Sequence, residues 1–195
     1  MKVIVACEYS GIVRDAFIAK GHNAISCDLL DTEKPGPHYK GDIFDILDSS
    51  FDLMIAHPPC TYMCNSGAKH LYIDGKKDNG LNPIRWQNLE AAAIFFKKLL
   101  EYPIEKIAVE NPIMLSYAKD IIGKNYTQII HPWQFGHGET KATCLWLKNL
   151  PKLVPSNIVE GRDNRIHRLP PSKNRGKERS KTYEGIAIAM AEQWG

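Results

Sequence analysis

The sequence predicts an α/β fold, a mostly parallel sheet with helices on both faces and an antiparallel edge strand. Three observations lead there. Short β-branched runs alternate with helix-period segments from Lys2 to Ile122, as strand–helix–strand units do. Two later β-rich runs, YTQIIHPWQF and ATCLWLKNL, are joined by the turn GHGETK and so fold back antiparallel. Chemically loaded groups follow directly after the apolar runs, where ligands of open α/β sheets sit. With 195 residues, 44% of them hydrophobic, residues 1–195 read as a single domain.

Element by element, KVIVAC is a first strand. SGIVRDAFIAKG follows as a helix, its Ile12, Val13, Ala16, Phe17 and Ala19 at helical spacing and Gly21 as the stop. NAISCDLL is a second strand ending in an acid, and DTEKPGPHYKGD is a loop punctuated by Pro-Gly-Pro. IFDILD reads as a short helix or turn, and FDLMIAH as a third strand closed by Pro58-Pro59. Residues 61–82 are polar and rich in Gly, Asn and Lys, which predicts a mobile surface loop. PIRWQNLEAAAIFFKKLLEYP is the clearest helix, with Pro83 near its start and Pro103 past its end. KIAVENP is a fourth strand and IMLSYAKDII a helix. Residues 151–181 form a basic, Pro-rich, irregular segment, and YEGIAIAMAEQW is a terminal helix.

Composition narrows the class. Five cysteines, an odd number with no CxxC, argue for a reduced protein and against a disulfide scaffold. No apolar run reaches the roughly 18 residues of a membrane span, and MKVIVACEYSG is too short for a signal peptide. The expectation is a cytoplasmic protein with no membrane partner. A net charge of +3 permits nucleic acid as a partner without requiring it.

Four strand ends carry the candidate site: Glu8-Tyr9-Ser10-Gly11, Asp28, Pro58-Pro59-Cys60 and Glu110-Asn111-Pro112. Ser10-Gly11 lets backbone approach a ligand at a helix N-terminus, and Asp28 is placed to hold a ribose diol. This layout serves nicotinamide nucleotides and S-adenosylmethionine alike. Cys60 is a small apolar residue, a metal ligand or a nucleophile. His57, Cys60, Cys64 and His70 are close in sequence, but their spacings are not those of a zinc site, and no metal is expected. A thiol held stiffly after two prolines, with Glu110 on the neighbouring strand, fits a nucleophile and its proton donor. Glu110 follows an apolar run, so burial is expected to raise its pKa.

The order and spacing of the strand–Ser-Gly–helix turn, Asp28, KGDIFDI, HPPC, VENP and FGHGETKAT resemble the DNA cytosine-5 methyltransferases. The resemblance covers most of the chain and is closest to short methylase-like proteins of phage and prophage genomes. It implies a Rossmann-like S-adenosylmethionine-dependent methyltransferase fold, in a bacterial or phage-infected host cell. It implies Cys60 as nucleophile, Glu110 as acid and Lys141 as a catalytic cation. Ser10, Gly11, Asp28, Asp42, Pro58 and Ser180 fall on cofactor positions, and Asn111, Thr143, Ser66 and Arg85 on substrate positions. DNA, duplex or single-stranded, is the implied partner, with a protein partner supplying specificity.

The chain departs from that pattern in places. Tyr9 stands where the family's first cofactor-turn glycine falls, Thr61 where glutamine is common and Cys64 where serine is common. ETKAT offers only Lys141 where two arginines are expected. Residues 151–181 occupy the place of a target-recognition domain, and 61–88 form the other candidate substrate loop. These departures predict low or short sequence specificity. They also keep two alternatives open: a non-catalytic methylase-like protein that binds DNA or a host protein, and the same chemistry on a free nucleotide or RNA.

Overall fold

The parallel pairing begins at β1 (Lys2–Ala6), which α1 (Ile12–Ala19) links to β2 (Asn23–Asp28). A computed structural model describes residues 1–173 and 175–195. The chain then forms β3 (His38–Lys40), β4 (Leu53–Ala56), α2 (Pro83–Leu100), β5 (Lys106–Pro112) and α3 (Ser116–Ile122). β6 (Gln128–Ile130), β7 (Thr143–Lys148), α4 (Arg165–Arg168), α5 (Arg175–Ser180) and α6 (Glu184–Trp194) complete it. Asn174, in the 151–181 segment, lies outside the described residues.

The sheet has seven strands in the order β3-β2-β1-β4-β5-β7-β6. β3, β2, β1, β4 and β5 pair in parallel, while β7 runs against β5 and β6. This is a Rossmann-like α/β fold, with the antiparallel strand β7 between β5 and the edge strand β6. The order reverses between β1 and β4, which opens a crevice at their carboxyl ends.

Alternating strand residues feed two cores. Ile4, Met54, Ile107, Val109 and Trp146 pack with Leu89, Ala93, Phe96 and Leu99 of α2 and Ala118 and Ile122 of α3. Val3, Val5, Leu53, Ile55, Ala108 and Leu145 pack with Val13 and Phe17 of α1 and Ile186, Met190 and Trp194 of α6. Burial on both sides explains why β4 reads as an unbroken apolar run.

Three segments depart from expectation. The Pro-Gly-Pro loop contains β3, whose His38, Tyr39 and Lys40 pair with Ser26, Cys27 and Asp28. Its polar residues and brevity hide it, since backbone pairing alone makes it a strand. Residues 61–82 fold into consecutive 3-10 turns, anchored by buried Met63 and Leu71. The basic segment carries α4 and α5, and internal ion pairs take several of its cations: Arg165 with Glu139 at 2.5 Å, Arg168 with Asp163 at 3.0 Å, Lys177 and Lys181 with Glu33 at 3.5 and 2.6 Å.

Candidate active site

Ala6 of β1 pairs with Ala56 of β4, and Ala56 with Val109 of β5. The residues that follow, Cys7, His57 and Glu110, are therefore neighbours across the rim. Beyond His57 the prolines leave the sheet, and the next strand holds them: the Asn111 side-chain amide donates to the Pro58 carbonyl at 2.8 Å. A tight turn follows, in which the Met63 and Cys64 amides donate to the Cys60 carbonyl at 3.1 and 3.0 Å. Cys60 sits on a support pinned at both ends.

On the β1 side, the buried Glu8 carboxylate closes the N-terminus of α1, accepting from the Val13 and Arg14 amides at 2.7 and 3.2 Å and the Ser10 hydroxyl at 3.1 Å. Gly11 has φ +72°, and a Cβ there would lie 2.4 Å from Arg14 Nη2, so the turn needs glycine. Cys7 also holds a positive φ, 57°, which costs a non-glycine residue. The Tyr9 hydroxyl donates to the Lys177 carbonyl at 2.7 Å and meets Ser180 Oγ at 3.1 Å, tying α5 across the rim.

Two adjoining cavities result. One, about 610 Å³, is walled by Tyr9, Ser10, Asp28, His57, Cys60, Cys64, Ser66, Arg85, Lys141, Arg179 and Ser180. The other, about 390 Å³ and mainly apolar, is walled by Cys27, Asp42, Ile43, Tyr62, Ala92 and Phe95. Cys7, Asp28 and Pro59 line both and join them. Asp28 Oδ1 accepts from the Leu30 amide at 2.9 Å, and Asp42 Oδ1 from the Phe44 amide at 3.0 Å.

Glu110 behaves differently from the expectation. Burial does push its pKa up, but the His57 hydrogen bond and the charges of Lys141 and His57 outweigh it, so the carboxyl is held below the ordinary 4.5. His57 Nδ1 lies 3.2 Å from Glu110 Oε2, with side chains 8% and 15% exposed, and His57 Nε2 is buried without a partner. His57 walls the cavity and Glu110 does not.

The two thiols split. A shared hydrogen bond with Cys64, then burial, then the charges of Cys64 and Glu110 push the Cys60 thiol far up. The same hydrogen bond, with Ser66 Oγ at 3.0 Å and the Ser66 and Gly67 amides, holds the Cys64 thiol below its ordinary value despite burial.

Of the residues singled out from sequence, Cys60, Lys141, Ser10, Asp28, Asp42, Ser180, Ser66 and Arg85 meet in the two cavities. Gly11, Pro58, Glu110, Asn111 and Thr143 lie outside their walls. Lys141 Nζ donates to the Lys181 carbonyl at 3.3 Å, Thr143 Oγ1 to the Lys141 carbonyl at 3.3 Å, and Arg85 Nη2 to the Thr61 carbonyl at 2.5 Å. Sequence reasoning missed the helix cap at Glu8, the tether at Tyr9 and the pairing of His57 with Glu110. The β4–β5 register would have been needed to see that pair. No cluster of three or more metal-ligating side chains occurs among the described residues, and none of their helices is long and apolar enough to cross a membrane.

No protein-family model matches the chain. No curated protein sequence matches it either. Solved structures do. A DNA modification methyltransferase encoded within a prophage (E. coli) aligns over 88% of this chain and 55% of its own, with 12% identity and TM-score 0.49. The Entamoeba histolytica methyltransferase EhMeth aligns over 82% and 57%, with 18% identity and TM-score 0.47. The S. pombe Dnmt2 methyltransferase aligns over 86% and 53%, with 13% identity and TM-score 0.38. The chain spans about half the length of these structures.

Proposed function

We propose that the protein transfers a methyl group from S-adenosylmethionine to carbon 5 of cytosine in DNA, through a covalent adduct at Cys60. The observation that carries the cofactor half is the Glu8 carboxylate on the α1 amides. A dinucleotide fold leaves those amides for pyrophosphate. Here a fixed negative charge occupies them, which disfavours a phosphate and suits a cofactor that carries a cationic sulfonium. The apolar 390 Å³ cavity fits a flat base, and Asp28, at the junction of the cavities, is placed for a ribose diol. Bound there, the cofactor supplies an electrophilic methyl group on sulfur.

The substrate half rests on Cys60, Glu110 and His57. Carbon 5 of cytosine is too electron-poor to take a methyl group unaided. Addition of a thiolate at carbon 6 makes it nucleophilic, and a proton on ring nitrogen 3 neutralises the charge that develops. In this reading that proton is delivered through the His57–Glu110 pair, whose His57 walls the cavity. Lys141, on the cavity wall, adds positive charge. A solvent base then takes the carbon 5 proton, the freed pair re-forms the carbon 5–carbon 6 double bond, the carbon–sulfur bond breaks with its pair on Cys60, and ring nitrogen 3 returns its proton; a target in duplex DNA has to be flipped out first. Arg85 and Arg179 on the same wall suit the backbone phosphates of that nucleotide.

Tyr9 favours a second reading. It lines the cavity at the turn that the cofactor would approach, and its hydroxyl is committed to α5. A binding protein with a closed cofactor turn would look the same there. Isothermal calorimetry with S-adenosylmethionine separates the two. Binding with transfer of labelled methyl to mixed-sequence DNA is the expected result; absence of cofactor binding with DNA binding intact selects the second reading. Transfer to nucleotides or RNA but not DNA would move the substrate and keep the chemistry.

A further inference from the structure

The turn that carries Cys60 is held by a cation, and a glycine makes the room for it. Arg85 stands in the first turn of α2, where the Asn82 side chain accepts from its amide at 3.1 Å. Its guanidinium reaches back to the peptide that follows Cys60, with Nη2 donating to the Thr61 carbonyl at 2.5 Å. The guanidinium carbon lies over the Tyr62 ring, 4.5 Å from its centre. Gly67 closes the same turn, its amide on the Cys64 carbonyl at 3.0 Å. A Cβ at this glycine would lie 2.7 Å from Arg85 Nη2. Gly67 has no positive φ, so the position needs space and not conformational freedom.

The fork is only partly used. A guanidinium carries several N–H donors, and the Thr61 carbonyl takes one of them. Arg85 Nε is buried without a partner. No carboxylate lies within ion-pair distance of Arg85 among the described residues. Arg85 and Cys60 wall the same cavity. A fixed, unpaired guanidinium with donors to spare on a cavity wall suits a phosphate. The backbone on the other side of Cys60 is already fastened, by Asn111 on the Pro58 carbonyl. Arg85 is the matching hold on the side of Thr61.

We propose that Arg85 is a positioning residue that couples the substrate's phosphate to the nucleophile. Its free donors take the phosphate of the target nucleotide while Nη2 keeps the Thr61 carbonyl, so binding the phosphate fixes the peptide next to Cys60. The inference rests on the methyl-transfer reading for its substrate. It narrows that substrate to cytosine bearing a phosphate, as against the free base or the nucleoside.

Two substitutions that preserve the charge test it. Gly67→Ala fills the space at Nη2 and pushes the guanidinium aside. Arg85→Lys keeps the cation and removes the fork and the stack on Tyr62. Thermal melting shows that both variants fold. In each, kcat for methyl transfer to mixed-sequence DNA should fall by about tenfold or more and stay low at saturating DNA. A rise in KM with kcat kept is what a cation that merely attracts DNA would give, and it overturns the positioning role.

The second measurement needs no turnover. Hydrogen exchange is followed over residues 60–67, where the Met63 and Cys64 amides donate to the Cys60 carbonyl. In the wild type, a deoxycytidine octamer should slow their exchange by about threefold or more, and deoxycytidine at the same base concentration should not. In both variants the exchange should start faster and stay fast with the octamer bound, its binding being followed by fluorescence anisotropy. Equal exchange in all three proteins overturns the proposal. So does slowing by the nucleoside equal to that by the octamer. The expected exchange pattern with no methyl transfer by the wild type overturns the methyl-transfer reading and supports the coupling of phosphate to the turn. Normal transfer, with exchange and kcat untouched by either substitution, overturns the role of Arg85 and leaves the reading standing.

Discussion

Cys60 lies in the turn beyond β4 and Glu110 inside β5, and their surroundings shift both acids from what their residue types suggest. Glu110→Gln keeps a carboxylate-shaped partner for His57 and removes the ability to carry a proton. Methyl transfer should fall by about 10²–10⁴-fold with cofactor affinity unchanged, measured by label incorporation and calorimetry. Cys60→Ala should abolish incorporation outright while the same calorimetry shows cofactor still bound. The depressed pKa of Glu110 also has a consequence for stability. A carboxyl held below its ordinary 4.5 in the folded state contributes stability that is full above that value and lost as pH falls through the folded one. A melting curve run downward from pH 5 should therefore be less steep in Glu110→Gln than in the wild type. At this scale the residue types were legible from the sequence, since proline, proline and cysteine after an apolar run mark a rigid thiol. The ionisation states were not, because they depend on His57 and on donors around Cys64 that only the folded turn gathers.

At the scale of elements, the site is held by strand ends and by what crosses them. Asn111 does not reach the cavity; it fastens the Pro58 carbonyl from β5. Asn111→Ala leaves that carbonyl unpaired in a buried place, at about 1–3 kcal/mol. The variant should melt at a lower temperature, and Cys60 should lose its ordered support, seen as faster alkylation of Cys60 in the folded protein. α5 is tied by the Tyr9 hydroxyl and by Glu33. Tyr9→Phe removes the hydroxyl alone, so hydrogen exchange over residues 175–181 should speed up with global stability changed by about 0.5–1.5 kcal/mol. The strands and helices that frame the site follow from periodicity: α1, α2 and α6 lie where the apolar spacing puts them. β3 did not follow, because its three polar residues become a strand only by pairing with β2.

The whole molecule is a sheet between two apolar layers. Phe96 of α2 meets Trp146 of β7 edge-on, with ring centroids 4.9 Å apart, and both are buried. Phe96→Ala should cost about 3–5 kcal/mol in denaturant titration, because the ring leaves a cavity that the sheet cannot close. Taken alone, the sequence determined the α/β class and the placement of Ser10-Gly11, Asp28, Pro58-Pro59-Cys60 and Glu110 after apolar runs. These follow from local periodicity and from proline and glycine chemistry, which neighbours in the chain dictate. The tertiary structure decided which of them meet. The β1–β4–β5 register sets Cys7, His57 and Glu110 in one row, the Glu8 carboxylate takes the helix amides, and the turn after Pro59 brings Cys64 onto Cys60. Charge in a half-buried cleft is governed by groups far apart in sequence, so no local reading could assign it.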